Sequence, residues 1–196
     1  MQKAPLLVGI SGASGAVYGI QLLKALKSLK VESHLIVSRS AEITLASETD
    51  LKLEDLHRLA DHVHGHANIA APPASGSFRS MGMVVAPCSV RSMSEIASGV
   101  TTSLLTRAAD VTLKERRRLV LMVRETPLHT GHLRTMIALS EMGAIVAPPV
   151  PAFYANPPSI EAMVDHTIGR VLDLFGLDYE GVTRWKGPKR PPTILT

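Results

Sequence analysis

Polar, glycine-rich or proline-rich segments follow short apolar runs at five places in the chain, and several of their residues could bind an anion. The five segments are Ser11 to Gly15, Ser38 to Ser40, Pro87 to Ser89, Arg124 to Pro127 and Pro148 to Tyr154. Glycine and serine at the start of a helix leave backbone N–H groups accessible to phosphate, which the helix dipole also attracts. We therefore expect a phosphate-bearing ligand where these segments meet.

The glycine turn at Gly12 and Gly15 does not identify that ligand by itself. Its spacing differs from GxGxxG, and no Gly-Lys-Ser/Thr follows it as in a Walker loop, so a nucleoside triphosphatase is not expected. A tight turn between strand and helix that binds nothing is the alternative. The segment Pro72 to Ser77 also has two interpretations, because it could wrap around an anion or be a surface loop.

Several charged or reactive residues could take part in chemistry. Arg124 and Glu125 leave a strand together, where the arginine could bind phosphate and the carboxylate could serve as acid or base; a structural ion pair is the alternative. Lys114 to Arg118 precedes the same strand, so we expect its charges to be solvated or paired. Glu48 could be a catalytic acid or a charge at a helix end. We expect Cys88 to be a small buried residue and not a nucleophile, because no histidine lies near it in sequence.

The composition indicates one compact domain that binds a small anion. The 196 residues are 45% hydrophobic and 19% charged, which is enough apolar material for a core. The formal net charge of +4 is spread over interleaved charges, which favours phosphate over nucleic acid as the partner. A single cysteine excludes an internal disulfide and favours a reducing compartment, the cytoplasm by default. No apolar run approaches the roughly 18 residues of a membrane span.

The eight histidines raise the question of a metal site. Four of them, His57, His62, His64 and His66, lie in one polar segment. Their spacing is not that of a known metal motif such as HExxH. We therefore expect a solvated, histidine-rich surface and no metal.

The apolar runs are typical of strands that are buried on both faces, as in a parallel sheet. They span Leu6 to Ile10, His34 to Val37, Met83 to Ala86, Leu119 to Val123 and Ala144 to Ala147. Helical spacing alternates with them, for example at Leu133, Met136 and Ile137.

Two of the helices can be given limits. We predict one from Ser89 to Ala109, and a last one from Ser159, as N-cap, to Phe175. The alternation of strands and helices predicts an α/β fold, a single Rossmann-like (flavodoxin-like) doubly wound parallel sheet. Such a sheet binds its ligand beyond the carboxyl ends of the strands.

The chain resembles the UbiX flavin prenyltransferases in the order and spacing of several blocks. These are Ser11 to Ala16, Glu48 to Asp50, Pro72 to Ser77, Pro87 to Ser89, Arg107 to Val111, Leu113 to Arg117 and Arg124 to Pro127. The resemblance runs from about Leu6 to Trp185, so we expect a flavin-binding domain at residues 1–185 and a C-terminal tail at 186–196. It implies a flavodoxin-like Rossmann fold and a homo-oligomer, usually a dodecamer, with active sites between subunits and no metal.

The resemblance also implies a reaction and its residues. Dimethylallyl monophosphate would lose phosphate as its prenyl carbon bonds to N5 of reduced FMN, and a second bond to C6 would close a fourth ring. The prenylated FMN would serve a UbiD-type decarboxylase. The residues implied for FMN are Gly12, Ala13, Ser14, Ser38, Ser89, Val90, Arg91, Ser92 and Arg124. Those implied for the prenyl donor are Ser75, Lys114, Arg124, Tyr154 and Arg170. Glu48 and Glu125 would handle protons, and Ser14 and Lys114 would also take part in catalysis.

Two departures and two alternatives accompany this resemblance. Many relatives carry an aromatic residue at the place of Ile69 and a threonine at the place of Ser92, and the first change could alter how the prenyl chain packs. A flavin-dependent cysteine decarboxylase resembles the family in its flavin loops, but it uses a catalytic histidine and Pro-Ala-Ser-Ala-Asn-Thr where this chain has Pro73 to Ser77. A non-catalytic flavin carrier is the other alternative.

Overall fold

The part of the chain that the structure describes forms a sheet of six strands, all parallel, in the order β3-β2-β1-β4-β5-β6. The computed structural model describes residues 3–187. The strands are β1 (Leu6–Ile10), β2 (Ser33–Val37), β3 (His62–His64), β4 (Gly82–Cys88), β5 (Arg118–Val123) and β6 (Ile145–Val146). From residue 188 onward, the predicted tail lies outside the described residues.

Within residues 3–187, seven α-helices connect and cover the strands. They are α1 (Ala16–Ser28), α2 (Arg39–Glu48), α3 (Leu53–His57), α4 (Val90–Ser98), α5 (Leu104–Lys114), α6 (Thr130–Glu141) and α7 (Ile160–Asp173). One apolar core joins α1, α2, α3 and α7 to one face of the sheet, and a second joins α4, α5 and α6 to the other face. Alternate residues of β1 serve the two cores, with Leu6 and Val8 in the first and Leu7 in the second.

The predicted fold class is confirmed, since the sheet is parallel and covered on both faces. The connection reverses direction between β1 and β4, which pair with each other in the centre. This reversal is the switch point at which doubly wound sheets bind ligands. Without the short edge strand β3, the other five strands have the order 2-1-3-4-5 of flavodoxin.

The predicted single helix from Ser89 to Ala109 is wrong, because the segment folds as α4 and α5. Gly99 takes a left-handed conformation, with φ of 69°, and ends α4. Ser103 then starts α5 with a capping box, in which its side chain and that of Thr106 accept hydrogen bonds from each other's backbone N–H. Glycine after a helix and serine before one are the usual stop and start residues, so the break is encoded locally.

Two other features differ from what the patterns indicate. The strand β3 was not predicted, because its sequence His-Val-His has no apolar run to reveal it. The helix α6 was predicted from Leu133, Met136 and Ile137, but only part of its apolar surface faces the core. Leu139 is buried and Met136 packs against the core, whereas Leu133 and Ile137 face outward. Leu133 is 47% exposed and Ile137 is 57% exposed in the single chain.

The last helix follows its local signals closely. The Ser159 side chain accepts a 3.2 Å hydrogen bond from the Ala162 N–H and caps α7. Beyond the helix, Gly176 has a φ of 66°, as a C-terminal stop requires. Among residues 3–187, no helix is long and apolar enough to cross a membrane.

Candidate active site

Four of the five polar segments meet at the carboxyl edge of the sheet. The Ser11 hydroxyl donates to the Pro87 carbonyl at 2.9 Å and accepts from the Ser89 N–H at 2.7 Å, which joins the turns after β1 and β4. The Ser38 N–H donates to the Ile10 carbonyl at 2.9 Å. The Arg124 N–H donates to the Cys88 carbonyl at 3.1 Å. Hydrogen bonds of the backbone and of the Ser11 hydroxyl therefore hold the ends of β1, β2, β4 and β5 together.

Gly12 lies where the first turn touches the start of α2. A Cβ atom at this position would be 2.4 Å from the Cβ and Oγ of Ser40. No side chain larger than hydrogen fits without movement of one of the two turns. The glycine thus serves close backbone approach at the edge where the ligand is expected.

A cavity of about 520 Å³ opens beside this edge. The size is within the usual range of about 300–1,000 Å³ for small-molecule sites. Four residues that were predicted to bind flavin line it, namely Ser38, Ser89, Arg91 and Ser92. The rest of the lining comes mainly from Arg39, Ser40, Ile43, His66, Ala67, Glu95, Thr102, Ser103 and Leu105.

Two helices begin at this cavity with serine caps. The Ser38 hydroxyl accepts from the Ala41 N–H at 3.2 Å at the start of α2. The Ser89 hydroxyl accepts from the Ser92 N–H at 3.2 Å at the start of α4. Two helix N-termini and the side chains of Arg39 and Arg91 offer N–H donors to this cavity, which suits a phosphate group, although Arg91 is paired with Glu95 in the single chain.

The start of α1 is different, because a carboxylate of the same chain occupies it. Oε2 of Glu48 accepts from the N–H groups of Gly15 and Ala16 at 2.9 and 3.0 Å. Burial raises the pKa of Glu48, but hydrogen bonds from Ser14, Gly15 and Ala16 and the charge of Arg124 outweigh burial and lower it. Glu48 is therefore ionised at neutral pH, next to Ser14.

Arg124 and Glu125 are at the same carboxyl edge, immediately after β5. The positive charge of Arg124 acts on both Glu48 and Tyr18, which places the guanidinium near the start of α1. The carboxylate of Glu125 accepts a 3.0 Å hydrogen bond from the Thr126 N–H. Glu125 is partly buried, and Arg124 is exposed. The predicted flavin residues and both predicted proton carriers thus lie together.

Lys114 and Ser75 are at the other end of the strands, the amino edge of the sheet. Lys114 is the last residue of α5, four residues before β5 begins at Arg118, so it lies near the amino ends of the strands. Its ammonium contacts the Glu115 carboxylate at 2.5 Å and stands beside Gly76. The expectation that Lys114 is paired or solvated fits this single chain, in which its side chain is 47% exposed.

Tyr154 and Arg170 form a third group. They line a smaller cavity of about 240 Å³ with Val182, Thr183, Arg184 and Trp185. Arg170 lies near the end of α7, close to the amino edge of the sheet. The Leu174 carbonyl, which follows α7, accepts a hydrogen bond from the side chain of Arg118 at the start of β5. Of the five segments, Ser38 to Ser40 and Pro87 to Ser89 contribute to the lining of the 520 Å³ cavity, whereas Ser11 to Gly15, Arg124 to Pro127 and Pro148 to Tyr154 do not.

Sequence reasoning missed some of the residues that line the larger cavity. Glu95 is the clearest case, because its carboxylate accepts from Arg91 at 2.8 Å and from the Thr102 hydroxyl at 3.0 Å. The spacing of Arg91 and Glu95, one helical turn apart, could have indicated the pair. His66 arrives from the connection after β3, and no local pattern signals it.

Cys88 is completely buried at the end of β4. Burial raises the pKa of its thiol to about 12, so the thiolate that a nucleophile needs does not form near neutral pH. The structure supports the expectation that Cys88 is a small core residue.

The fold and this cavity define a class of protein. A doubly wound parallel sheet with a cation-lined cavity at its switch point is the arrangement of nucleotide- and flavin-binding domains.

Comparisons with known proteins narrow the class to a family. A family model described as Flavoprotein matches residues 1–172. The flavin prenyltransferase UbiX of Escherichia coli K12 is 52% identical over 185 residues, which cover 93% of this chain and 98% of the relative. The chain belongs to the Flavoprotein family and, within it, to the UbiX flavin prenyltransferases.

Two solved structures are similar over almost the whole chain. AnUbiX in complex with FMN and dimethylallyl pyrophosphate superposes with a TM-score of 0.94 at 49% identity, covering 95% of this chain and all of the other. A dodecameric FMN-dependent UbiX-like decarboxylase from Escherichia coli O157:H7 superposes with a TM-score of 0.91 at 47% identity, covering 93% and 100%.

Proposed function

We propose that this protein is a flavin prenyltransferase that transfers dimethylallyl from dimethylallyl monophosphate to N5 and C6 of reduced FMN. The observation that carries the proposal is the 520 Å³ cavity at the switch point, lined by Ser38, Ser89, Arg91 and Ser92. Membership in the UbiX family supports the activity, and the AnUbiX complex with FMN and dimethylallyl pyrophosphate supports FMN and a dimethylallyl donor as ligands.

The residues present fit FMN. Its phosphate would lie at the starts of α2 and α4, where Ser38, Ser89, Arg39 and Arg91 offer hydrogen-bond donors and positive charge. The start of α1 is a poorer phosphate site, because the carboxylate of Glu48 already accepts its N–H groups. Gly12, Ala13 and Ser14 would instead pass along the flavin ring, and the lack of side chains at Gly12 permits close approach.

Bound reduced FMN supplies the two ring atoms, N5 and C6, that form bonds to the prenyl group. The protein's part is to hold the donor phosphate as negative charge develops on its departing oxygen. Lys114, Arg124, Arg170 and the Tyr154 hydroxyl would do so by charge-assisted hydrogen bonds, with Ser75 beside Lys114. Excluding water from the allylic carbon is the other requirement, which an assembled site closed by neighbouring copies would meet.

Glu48 and Glu125 would handle the protons that leave the flavin. Both carboxylates are at the carboxyl edge, and Arg124 lies next to Glu125 in the chain and acts electrostatically on Glu48. A cation between a carboxylate and a phosphate reduces their repulsion, so the two roles can coexist in one site. Ser14, which donates a hydrogen bond to Glu48, would link that carboxylate to the flavin.

Neighbouring copies of the chain would complete the site. Lys114 and Ser75 lie near the amino edge of the sheet, whereas Arg124, Glu125 and Ser14 lie at the carboxyl edge, so one copy does not bring them together. Large apolar side chains are exposed around β6 and α6, namely Leu133, Ile137, Val150, Phe153 and Ile160. Such residues are typical of surfaces that pack against another subunit. The dodecameric relative supports a homo-oligomer of twelve chains.

The wider setting is part of the same proposal. The family resemblance supports a UbiD-type decarboxylase as the recipient of the prenylated FMN. The single buried cysteine supports a reducing compartment such as the cytoplasm. We also propose that residues 1–185 form the flavin-binding domain, since Arg184 contacts Asp173 at the end of α7 and Trp185 packs edge-on against Tyr154 at 5.5 Å.

The test is turnover with defined substrates under anaerobic conditions. The protein is incubated with FMN, a reductant and dimethylallyl monophosphate, and in parallel with dimethylallyl pyrophosphate, and the released flavin is analysed by mass spectrometry. We expect prenylated FMN, with the monophosphate as the better donor. Bound but unchanged FMN with both donors would favour a flavin carrier, and carbon dioxide release from a C-terminal cysteine peptide would favour a cysteine decarboxylase.

A further inference from the structure

A cluster of metal-ligating side chains lies at the opposite edge of the sheet from the flavin site. It consists of Glu32, just before β2, His34 in β2 and His62 in β3. One ligand atom from each residue lies within 4.8 Å of the others. The cluster is near the amino ends of the strands. Ser38, at the flavin edge, is four strand residues beyond His34, which corresponds to about 13 Å.

The three ligand atoms point toward one place. Oε1 of Glu32 is 3.1 Å from Nε2 of His34 and 3.2 Å from Nε2 of His62. Ligand atoms around a tetrahedral ion with bonds of about 2.0–2.1 Å are separated by about 3.3 Å. The two separations from the Glu32 oxygen are close to this value, and all three ligand atoms lie within 4.8 Å of one another.

A third histidine, His64, orients one of the two ligating imidazoles. Nδ1 of His34 is 2.9 Å from Nε2 of His64, which lies on β3 two residues after His62. If His34 binds an ion through Nε2, its proton is on Nδ1 and is donated to His64. A histidine that ligates a metal usually donates its other ring N–H to an acceptor, most often a carboxylate, a carbonyl or water, and His64 takes that place here.

We propose that Glu32, His34 and His62 bind a divalent transition-metal ion of the zinc class, with His64 as the positioning residue for His34. Two imidazoles and one carboxylate are a donor set that suits Zn²⁺ and related ions and does not suit Mg²⁺ or Ca²⁺, which prefer oxygen. The fourth position faces solvent, since the side chain of His62 is 54% exposed, and water would fill it.

The same geometry has a simpler interpretation that the experiment must exclude. Without an ion, the Glu32 carboxylate can accept N–H hydrogen bonds from both His34 and His62, and His64 can donate to His34. Binding of an ion needs both Nε2 atoms as lone-pair donors, so the protons of the two imidazoles move to Nδ1. The proposal is that an ion is preferred over this network.

The site would join the edge strand β3 to the rest of the sheet. β3 has only three residues and is partly exposed, and its pairing with β2 ends at His64. The connection after it supplies His66 and Ala67 to the flavin cavity. An ion held by His62 and His34 would therefore stabilise the strand from which that connection starts. It would bind with or without FMN and takes no part in the proposed prenyl transfer.

The experiment is a titration of the full chain, freed of metal by a chelator, with ZnCl₂ in a calorimeter. We expect one saturable site per chain with micromolar or tighter affinity. His62→Ala, which alters an exposed side chain, should abolish that site, and His64→Ala should weaken it about 10- to 100-fold. His57→Ala is the matched control, because it removes a histidine of the same segment that is outside the cluster, and it should bind as the unchanged protein does.

A spectroscopic measurement gives an independent result. Bound Co²⁺ in a tetrahedral site with nitrogen and oxygen ligands should produce a visible absorption band that is lost in His62→Ala and in Glu32→Gln, while circular dichroism shows that both variants remain folded. The proposal is overturned if the unchanged protein shows no saturable Zn²⁺ site, or if His62→Ala binds Zn²⁺ as tightly as the control.

Discussion

The backbone N–H of Gly15 donates a 2.9 Å hydrogen bond to the carboxylate of Glu48, 33 residues later in the chain. The Ala16 N–H donates to the same oxygen at 3.0 Å. A side chain of the connection after β2 thus takes the place that a phosphate often occupies at the first helix of a doubly wound sheet. This contact orders the first turn and places an ionised carboxylate beside Ser14.

Replacement of Glu48 should therefore change stability with a defined pH dependence. The pKa of Glu48 is lowered in the folded chain. Such a carboxyl stabilises the fold above its unfolded pKa of about 4.3, and the contribution is lost as the pH falls through the lower folded pKa. The free energy of unfolding in urea is measured between pH 3 and 7. It should rise less with pH in Glu48→Gln than in the unchanged protein. Glu180→Gln, an exposed change after α7, should retain the full rise, and equal curves for the two variants would contradict the assignment.

Replacing Glu125 and replacing Lys114 should impair different steps of the reaction. Glu125→Gln keeps size and hydrogen bonding, so FMN and donor should still bind while single-turnover prenylation slows by about a hundredfold or more. Lys114→Ala removes a cation from the donor phosphate and should weaken donor binding. Donor affinity and single-turnover rate are measured for both, with Glu141→Gln as control. A Glu125→Gln protein with normal turnover would remove this residue from the mechanism.

The same two variants test whether neighbouring copies share a site. Lys114→Ala and Glu125→Gln chains with different affinity tags are co-expressed, and assemblies that carry both tags are purified. If a site takes Lys114 and Glu125 from different copies, about one quarter of the sites in randomly mixed assemblies have both native residues and regain activity. If both residues come from one chain, no such site exists, and mixed assemblies stay as inactive as the single variants.

The position of the FMN phosphate can be tested by comparing two flavins. Arg91→Ala removes a cation from the cavity at the start of α4, so FMN should bind roughly 10- to 100-fold more weakly, the usual effect of losing a charged hydrogen bond. Riboflavin, which lacks the phosphate, should bind almost equally to both proteins. Fluorescence titration measures both affinities, and Arg134→Ala on α6 serves as the control. An equal loss for FMN and riboflavin would place the phosphate elsewhere.

Position 12 should tolerate no residue larger than glycine unless Ser40 moves. In Gly12→Ala the new Cβ meets the Cβ of Ser40 at 2.4 Å, so one turn must move, at a cost of about 1–3 kcal/mol in stability. FMN affinity should fall as well. Adding Ser40→Gly removes the obstructing side chain and should restore part of both, although the Ser40 backbone remains 3.0 Å away. Thermal unfolding and FMN titration of the single and double variants check this, and the absence of any rescue would locate the conflict elsewhere.

The sequence by itself determined the elements and the fold class. Five of the six strands were predicted from their apolar runs, and α7 was predicted from the Ser159 cap and the Gly176 stop. These features depend on local periodicity and on capping by residues within one turn, so they are visible without a structure. The ends of the parallel strands then had to meet at one edge, which correctly grouped Ser11, Ser38, Ser89 and Arg124.

The tertiary structure decided which distant residues meet. Glu48 reaches the start of α1, and Glu32 and His34 join His62 across two strands, at separations of about thirty residues that no local spacing reveals. The structure also separates Lys114 from Arg124, because α5 runs back along the sheet and ends at its amino edge. Such contacts depend on how crossover helices pack on the sheet, and that packing depends on the whole chain.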